Sequence, residues 1–229
     1  MTFQRPTCTC NDAYKQRGRE VGFHRDVQDE TSDAWRRLLD LISDAADRNV
    51  EEFDPRTHLT PEAWHSIVTL PPQIASLKSV RKLCLYNSSL LRIPPEIGEM
   101  TSLEDFDAYT SYRLHWLPYE ITRCPNLRDS RISTRALYGN YKNRNPFPKL
   151  KTSTEFLSSI RPKNCSVCNS ELLDLWTTRW ISLNVATDVL PMLVFACSGA
   201  CIDSLPSGAD NHVTKSHRGG RSIEQPTRW

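Results

Sequence analysis

The clearest chemical spacing in this chain belongs to four cysteines near its C-terminus. Cys165 and Cys168 are separated by two residues; after 28 intervening residues come Cys197 and Cys201, separated by three. Thiolates are soft anionic ligands, and two close pairs supply the four donors that a tetrahedral zinc ion takes. Four sulfurs close the coordination sphere and leave no position for water or substrate, so the expected zinc is structural and not catalytic. It would stabilise a small domain with a thin core, because metal binding is coupled to folding. A pair of buried thiols or a redox dithiol is the competing reading of the same residues.

Other candidates for chemistry are weaker. His24, His58, His65, His115, His212 and His217 are scattered, and none stands at a ligand or catalytic spacing from a carboxylate or nucleophile. There is no phosphate-loop glycine pattern and no serine elbow. Cys84 and Cys124 are expected to be small packing residues. No catalytic residue is assigned, and an enzyme is not expected.

The elements that must position the four cysteines can be read around them. Leu172 to Ala186 is rich in Leu, Trp, Ile, Thr and Val, which predicts a β-hairpin between the two pairs. Leu190-Pro191-Met192-Leu193-Val194-Phe195 then leads into Cys197. Cys197 and Cys201 are four apart, so a helical first turn would place both on one face, where thiolate charge is favoured. Knuckle, hairpin and helix in this order resemble a treble-clef zinc finger, with a looser spacing than its commonest form.

Upstream, three phrases nearly repeat: Leu70-Pro71-Pro72-Gln73-Ile74, Ile93-Pro94-Pro95-Glu96-Ile97 and Leu117-Pro118-Tyr119-Glu120-Ile121. Their starts are 23 and 24 residues apart. Each is followed by a spaced apolar set: Val80, Leu83, Leu85 and Leu90; then Leu103, Phe106, Ala108 and Leu114; then Leu127, Ser130, Ile132 and Leu137. Ser88, Ser111 and Arg135 stand at the position where this pattern prefers Asn. The segment resembles leucine-rich repeat proteins of the roughly 23-residue class, bacterial in style. That resemblance covers about a third of the chain. It implies a solenoid whose turns each add one strand to a curved parallel sheet, and a protein-binding scaffold. Some bacterial proteins of this kind are ubiquitin ligases, but their separate long helical domain has no counterpart after these repeats.

The repeats need a cap. Trp35, Leu38, Leu39, Ile42, Ala45 and Ala46 lie on one face of a helix begun by Thr31 or Ser32. A shorter helix is predicted from Pro61 to about Val68, with Thr60 as its N-cap. The fold class is therefore α/β: a short leucine-rich repeat solenoid, an N-terminal helical cap and a small C-terminal zinc-bound α+β domain. The expected divisions are a flexible arm over 1–31, the cap over 32–69, repeats over 70–150, the zinc domain over 151–205 and a disordered tail over 206–229. The tail carries Lys215, Arg218, Arg221 and Arg228.

Composition sets the remaining limits. The chain has 229 residues, 24% of them charged, and a net charge of only +2, so nothing pulls it as a whole toward nucleic acid or an anionic membrane. No apolar run is long enough to span a bilayer, and the N-terminal residues have no secretory pattern; a cytoplasmic location is expected. Side chains alternate along a strand, so the repeats should present three outward rows: Lys82/Asp105/Asp129, Cys84/Asp107/Arg131 and Tyr86/Tyr109/Ser133. The expected partner surface is Lys82, Tyr86, Asp105, Asp107, Tyr109, Asp129 and Arg131, facing a protein. An immunity-type protein that occludes a toxin would be a concrete form of this reading. A zinc-finger nucleic-acid binder and an enzyme with an unrecognised site are the alternatives.

Overall fold

The computed structural model describes residues 6, 8 and 21–227. Most of the expected arm, including Cys10, and Arg228 of the tail lie outside these residues. Helix α1, Asp33–Asp47, starts at Ser32, whose side chain accepts the Trp35 N–H. It stops where Asn49 takes a positive φ of 52°, a left-handed C-terminal residue of the kind that ends helices. Trp35, Leu38, Leu41, Ile42 and Ala45 are buried, while Asp33 and Asp44 pair with Arg36 and Arg48 on the solvent side. After strand β1, Glu52–Phe53, helix α2 covers Pro61–Ser66, with the Thr60 side chain as its cap.

The repeats follow with strands β2 (Lys82–Cys84), β3 (Asp105–Ala108) and β5 (Asp129–Ile132). They form one all-parallel sheet in the order β1-β2-β3-β5. Lys82, Asp105 and Asp129 are in register, as are Cys84, Asp107 and Arg131. Each Pro-containing phrase enters a 3₁₀ turn: Pro72–Ser76, Pro95–Glu99 and Tyr119–Arg123. Leu83, Leu85, Phe106 and Ala108 are fully buried beneath the sheet, together with Ile74, Ile97 and Ile121 from the turns. The turns stack so closely that a Cβ on Gly98 would lie 2.6 Å from the Glu120 carbonyl oxygen.

Between the turns runs a serine ladder. Ser88 Oγ donates to Ser111 Oγ at 2.7 Å, Ser111 Oγ donates to the Leu85 carbonyl at 3.0 Å, and Ser133 Oγ accepts the Thr110 N–H at 2.8 Å. Hydroxyls thus satisfy buried loop amides and carbonyls that would otherwise be costly. The third rung is Ser133, which the sequence placed in the outward tyrosine row; it is buried, and Arg135, expected at the rung, is exposed. The third repeat is shorter before its rung, which shifts the alignment by two residues.

The far end of the repeats is closed by a long antiparallel hairpin, β6 (Thr177–Val185) and β7 (Asp188–Ala196). The turn is Ala186-Thr187, so the hairpin expected over 172–186 instead spans 177–196. The apolar run 189–196 is its second strand and not a lead-in to the cysteines. β7 also pairs in parallel with β4, Leu117–Pro118. One hairpin face, with Ile181, Val185, Leu190, Met192 and Val194, completes the repeat core. The other, with Trp180, Leu193 and Phe195, joins a second core with Trp116, Tyr138 and Phe147. A strand buried on both faces has no polar alternation, which is why β7 looks continuously apolar. The hairpin turn docks on β5: Thr187 Oγ1 donates to the Ser130 carbonyl and Ser130 Oγ donates to Asp188 Oδ2, at 2.8 and 2.9 Å. This explains a serine where the repeat pattern expects an apolar residue.

The described residues of both end segments make contacts that the sequence expectation left out. Within the segment expected as a flexible arm, Val21 and Gln28 are buried, Phe23 stacks on Trp180 with ring centroids 5.6 Å apart, and Gln28 Oε1 accepts the Val68 N–H at 2.8 Å. The tail expected to be disordered covers the edge of β6. Ala209 N–H donates to the Ser182 carbonyl, and Trp180 and His217 exchange both backbone hydrogen bonds. Polar composition concealed these contacts because the tail supplies main-chain groups to a sheet edge that needs covering. Its glycines serve close approach: Gly219 has φ +69°, and a Cβ there would lie 2.0 Å from the Pro148 carbonyl oxygen.

Two consequences are measurable. Leu85 is fully buried, so Leu85→Ala should lower unfolding free energy by about 2–5 kcal/mol in urea titration; a loss well under 1 kcal/mol would place Leu85 outside the core. The second concerns His217, whose Nδ1 accepts the Gly219 N–H at 3.1 Å, leaving the ring proton on Nε2. Burial pushes its pKa down to about 4, against about 6.5 for an unfolded histidine. Its neutral form therefore contributes fully above pH ~6.5, and that contribution is lost as pH falls toward ~4, where the unfolded chain alone takes the proton. Stability should drop by about 3 kcal/mol more across this window in the native protein than in His217→Asn; parallel pH profiles for the two would show that His217 is not the titrating group.

Candidate functional site

The four sequence-predicted ligands converge. Cys165 and Cys168 sit on a tight knuckle in which Asn169 N–H returns to the Cys165 carbonyl at 3.0 Å and Asn169 has φ 63°. Cys197 leaves the end of β7. Cys201 lies in the short helix α3, Gly199–Asp203, whose cap Ser198 accepts the Cys201 N–H. All four sulfurs lie within 4.8 Å of one another, so they can hold a metal ion. Cys168 to Cys197 and Cys197 to Cys201 are each 3.6 Å.

The knuckle is fastened to the hairpin and to the repeats. Ser166 exchanges hydrogen bonds with the Phe195 backbone at 2.7 and 2.9 Å. Arg123, at the end of the third repeat's turn, donates to the Cys165 and Ser166 carbonyls at 2.9 and 2.8 Å and to Asn169 Oδ1 at 3.1 Å. The sulfurs share protons unevenly. Hydrogen bonds from Ser170 draw Cys168 down to about 6, whereas its contact with Cys168, followed by that with Cys201, pushes Cys197 up to about 12. Thiolates packed together repel, and a cation relieves that repulsion by taking the place of protons. The remaining repeat cysteines behave as packing groups: Cys124 donates to the Ile97 carbonyl, and burial raises its pKa to about 11.

The sequence-predicted partner surface is also brought together. Tyr86 and Tyr109 have ring centroids 6.3 Å apart, and Tyr109 is 46% exposed. Arg56, which the sequence did not mark, stacks over Tyr86 at 5.1 Å. Lys82 pairs with Glu52 at 2.7 Å. Asp129 and Arg131 are exposed, while Asp105 is half-buried. Burial raises the Asp105 pKa, and the like charges of Asp107 and Asp129 add to it. Asp107 differs from expectation: it is buried, it accepts the Tyr109 N–H at 2.9 Å, and it lies 3.7 Å from Arg131. It orients the surface more than it presents itself. Tyr112, in the loop after β3, is also exposed.

Two features lay beyond the sequence reading. One is a cleft of about 270 Å³ lined by Trp35, Arg92, Glu96, Trp116 and Glu120. Burial raises the Glu120 and Glu96 carboxyl pKa values. The other is a cluster of His24, His115 and Cys8, three residues whose separations of 16 and 91 positions give no spacing motif.

Among the described residues, no helix is long and apolar enough to cross a membrane. No protein-family model matches the chain, and no curated protein matches it. Among solved structures, a leucine-rich repeat protein of Leptospira interrogans aligns at 18% identity with a TM-score of 0.28, over 47% of this chain and 37% of that one. The alignment thus spans well under half of the Leptospira chain.

Removing one thiol from each pair should test the metal centre. Cys165→Ser/Cys197→Ser should lose about one metal equivalent per chain relative to the native protein and should melt at lower temperature. Equal metal content in the two proteins, read by elemental mass spectrometry, would remove the centre.

Proposed function

We propose that this chain is a non-catalytic protein-binding scaffold: a short solenoid of leucine-rich-repeat type that engages a protein partner through the strand face of its repeats. The observation carrying this reading is the register-aligned surface of Tyr86, Tyr109, Asp105, Asp129, Arg131 and Lys82. One end of the repeats is packed against α1 and the other against the hairpin, and the strand face carries side chains that partner surfaces favour. Tyrosine and arginine dominate interface energies. The ion pairs around them are exposed and worth about 0–1 kcal/mol each, so they serve orientation more than affinity. Occlusion of a toxin by an immunity-type protein is one concrete form of this function.

In the same reading the four-cysteine centre holds structural zinc. Four sulfurs around zinc at 2.3 Å would stand about 3.8 Å apart, close to the 3.6 Å contacts here. The metal ties the hairpin to the knuckle, and Arg123 ties the knuckle to the repeats. An enzyme is the second reading, favoured by the cleft beside Glu120, whose buried Oε1 has no hydrogen-bond partner.

The test is a partner found by affinity pull-down from the source cell and identified by mass spectrometry. Tyr86→Ala/Tyr109→Ala should keep its circular dichroism and lose at least about tenfold in affinity for that partner, equivalent to 1.4 kcal/mol. A folded double variant with native affinity would move the binding site off the strand face.

A further inference from the structure

We propose a second metal site, formed by Cys8, His24 and His115 and independent of the four-cysteine centre. The three ligand atoms make a nearly equilateral triangle: Cys8 Sγ to His24 Nε2, Cys8 Sγ to His115 Nε2, and His24 Nε2 to His115 Nε2 are each 3.2 Å. Around tetrahedral zinc, with bonds of 2.0–2.1 Å to nitrogen and 2.3 Å to sulfur, the expected separations are about 3.3 Å between nitrogens and about 3.5 Å from nitrogen to sulfur. The triangle is slightly tighter than that, and a bound ion needs only a few tenths of an ångström of expansion.

Proton counting favours an ion over hydrogen bonds among the three atoms. His115 Nδ1 lies 2.5 Å from the Ala136 carbonyl oxygen. A carbonyl only accepts, so Nδ1 carries the proton and Nε2 of neutral His115 presents a lone pair. The triangle then has at most two protons, one on His24 Nε2 and one on the thiol, for three contacts. A cation at its centre satisfies all three at once. The Ala136 contact is also the outer-sphere arrangement typical of metal-bound imidazole, where the second ring nitrogen donates to a carbonyl and fixes the ring.

The surroundings hold the ligands in place. His115 is buried at the loop before β4, and its ring lies 5.2 Å from that of His24 with only 17° between their planes. Two residues from His24, Asp26 pairs with Arg113 at 2.9 Å, and Arg92 donates to the Asp26 carbonyl at 3.3 Å. A mixed set of one thiolate and two imidazoles suits zinc; copper competes for the same donors. Among the described residues three ligands converge, and tetrahedral zinc takes a fourth. The ion would pin a segment 107 residues away in sequence to the repeat scaffold, and a cross-link closing so long a loop removes substantial unfolded-state entropy.

The full chain should be purified without chelator and analysed for metal. Native protein should carry about two zinc ions per chain, and Cys8→Ser and His24→Ala should each carry one fewer with unchanged circular dichroism. Cys165→Ser/Cys197→Ser should retain the second ion, so failure of either centre shows separately. Zinc X-ray absorption of the native chain guards against a variant that fails to fold: imidazole scattering mixed with sulfur supports the site. An all-sulfur shell, or folded Cys8→Ser and His24→Ala proteins with native metal content, would overturn it.

Discussion

Everything in this fold leans on the double burial of the β6–β7 hairpin. Nine residue pairs join its strands without a break, and its second strand, β7, is buried on both faces. One face closes the open end of the repeat stack and the other founds a second core. A repeat array cannot end in water, because its last turn would expose the apolar layer that each earlier turn hides beneath the next. The α1 helix solves this at one end with a single amphipathic stripe. At the other end the solution is a strand pair whose inner strand β7 is buried on both faces, so its second face needs further cover of its own.

That need organises the termini. Trp180, fully buried on the second face, is surrounded by Phe23, Trp116, Tyr138 and Phe147 with ring centroids 5.6–6.1 Å away, and its indole N–H reaches the Pro148 carbonyl at 3.0 Å. Phe23 comes from the N-terminal segment, and the residues pairing with the edge of β6 come from the tail. Pro191 fits within β7 for the same geometric reason. Its partner Ser182 turns its carbonyl outward to Ala209, so this pair exchanges no hydrogen bonds and the missing proline N–H costs none.

These dependencies mark what could be read from the sequence. The repeats were legible because each turn repeats one local problem, burying a strand residue over a 3₁₀ turn, and the answer recurs every 23 or 24 residues. The four cysteines were legible because a knuckle and a helical turn are local, and their spacing survives without knowledge of the fold. The hairpin turn was misplaced because two-face burial erases the alternation that marks a strand. The third serine rung was missed because it depends on the length of a loop. His24 and His115 carry no mark at all: their meeting is set by how the N-terminal segment crosses the loop before β4, a tertiary fact with no period.

The same logic separates the surfaces of the molecule. Non-periodic sequence here is spent on cover: hairpin, tail and N-terminal segment hide the end and flank of the repeats. The strand face receives no such cover among the described residues, although the chain had about eighty residues beyond the last repeat from which to supply one. Its charges balance locally, through Lys82 with Glu52 and Arg131 with Asp107. An aromatic pair kept half in water amid self-compensating charges gains little for folding, since exposed ion pairs contribute about 0–1 kcal/mol and a tyrosine ring contributes most once it is covered. The larger gain from this face is available only when another surface closes over it, and that supports recognition over stability as its role.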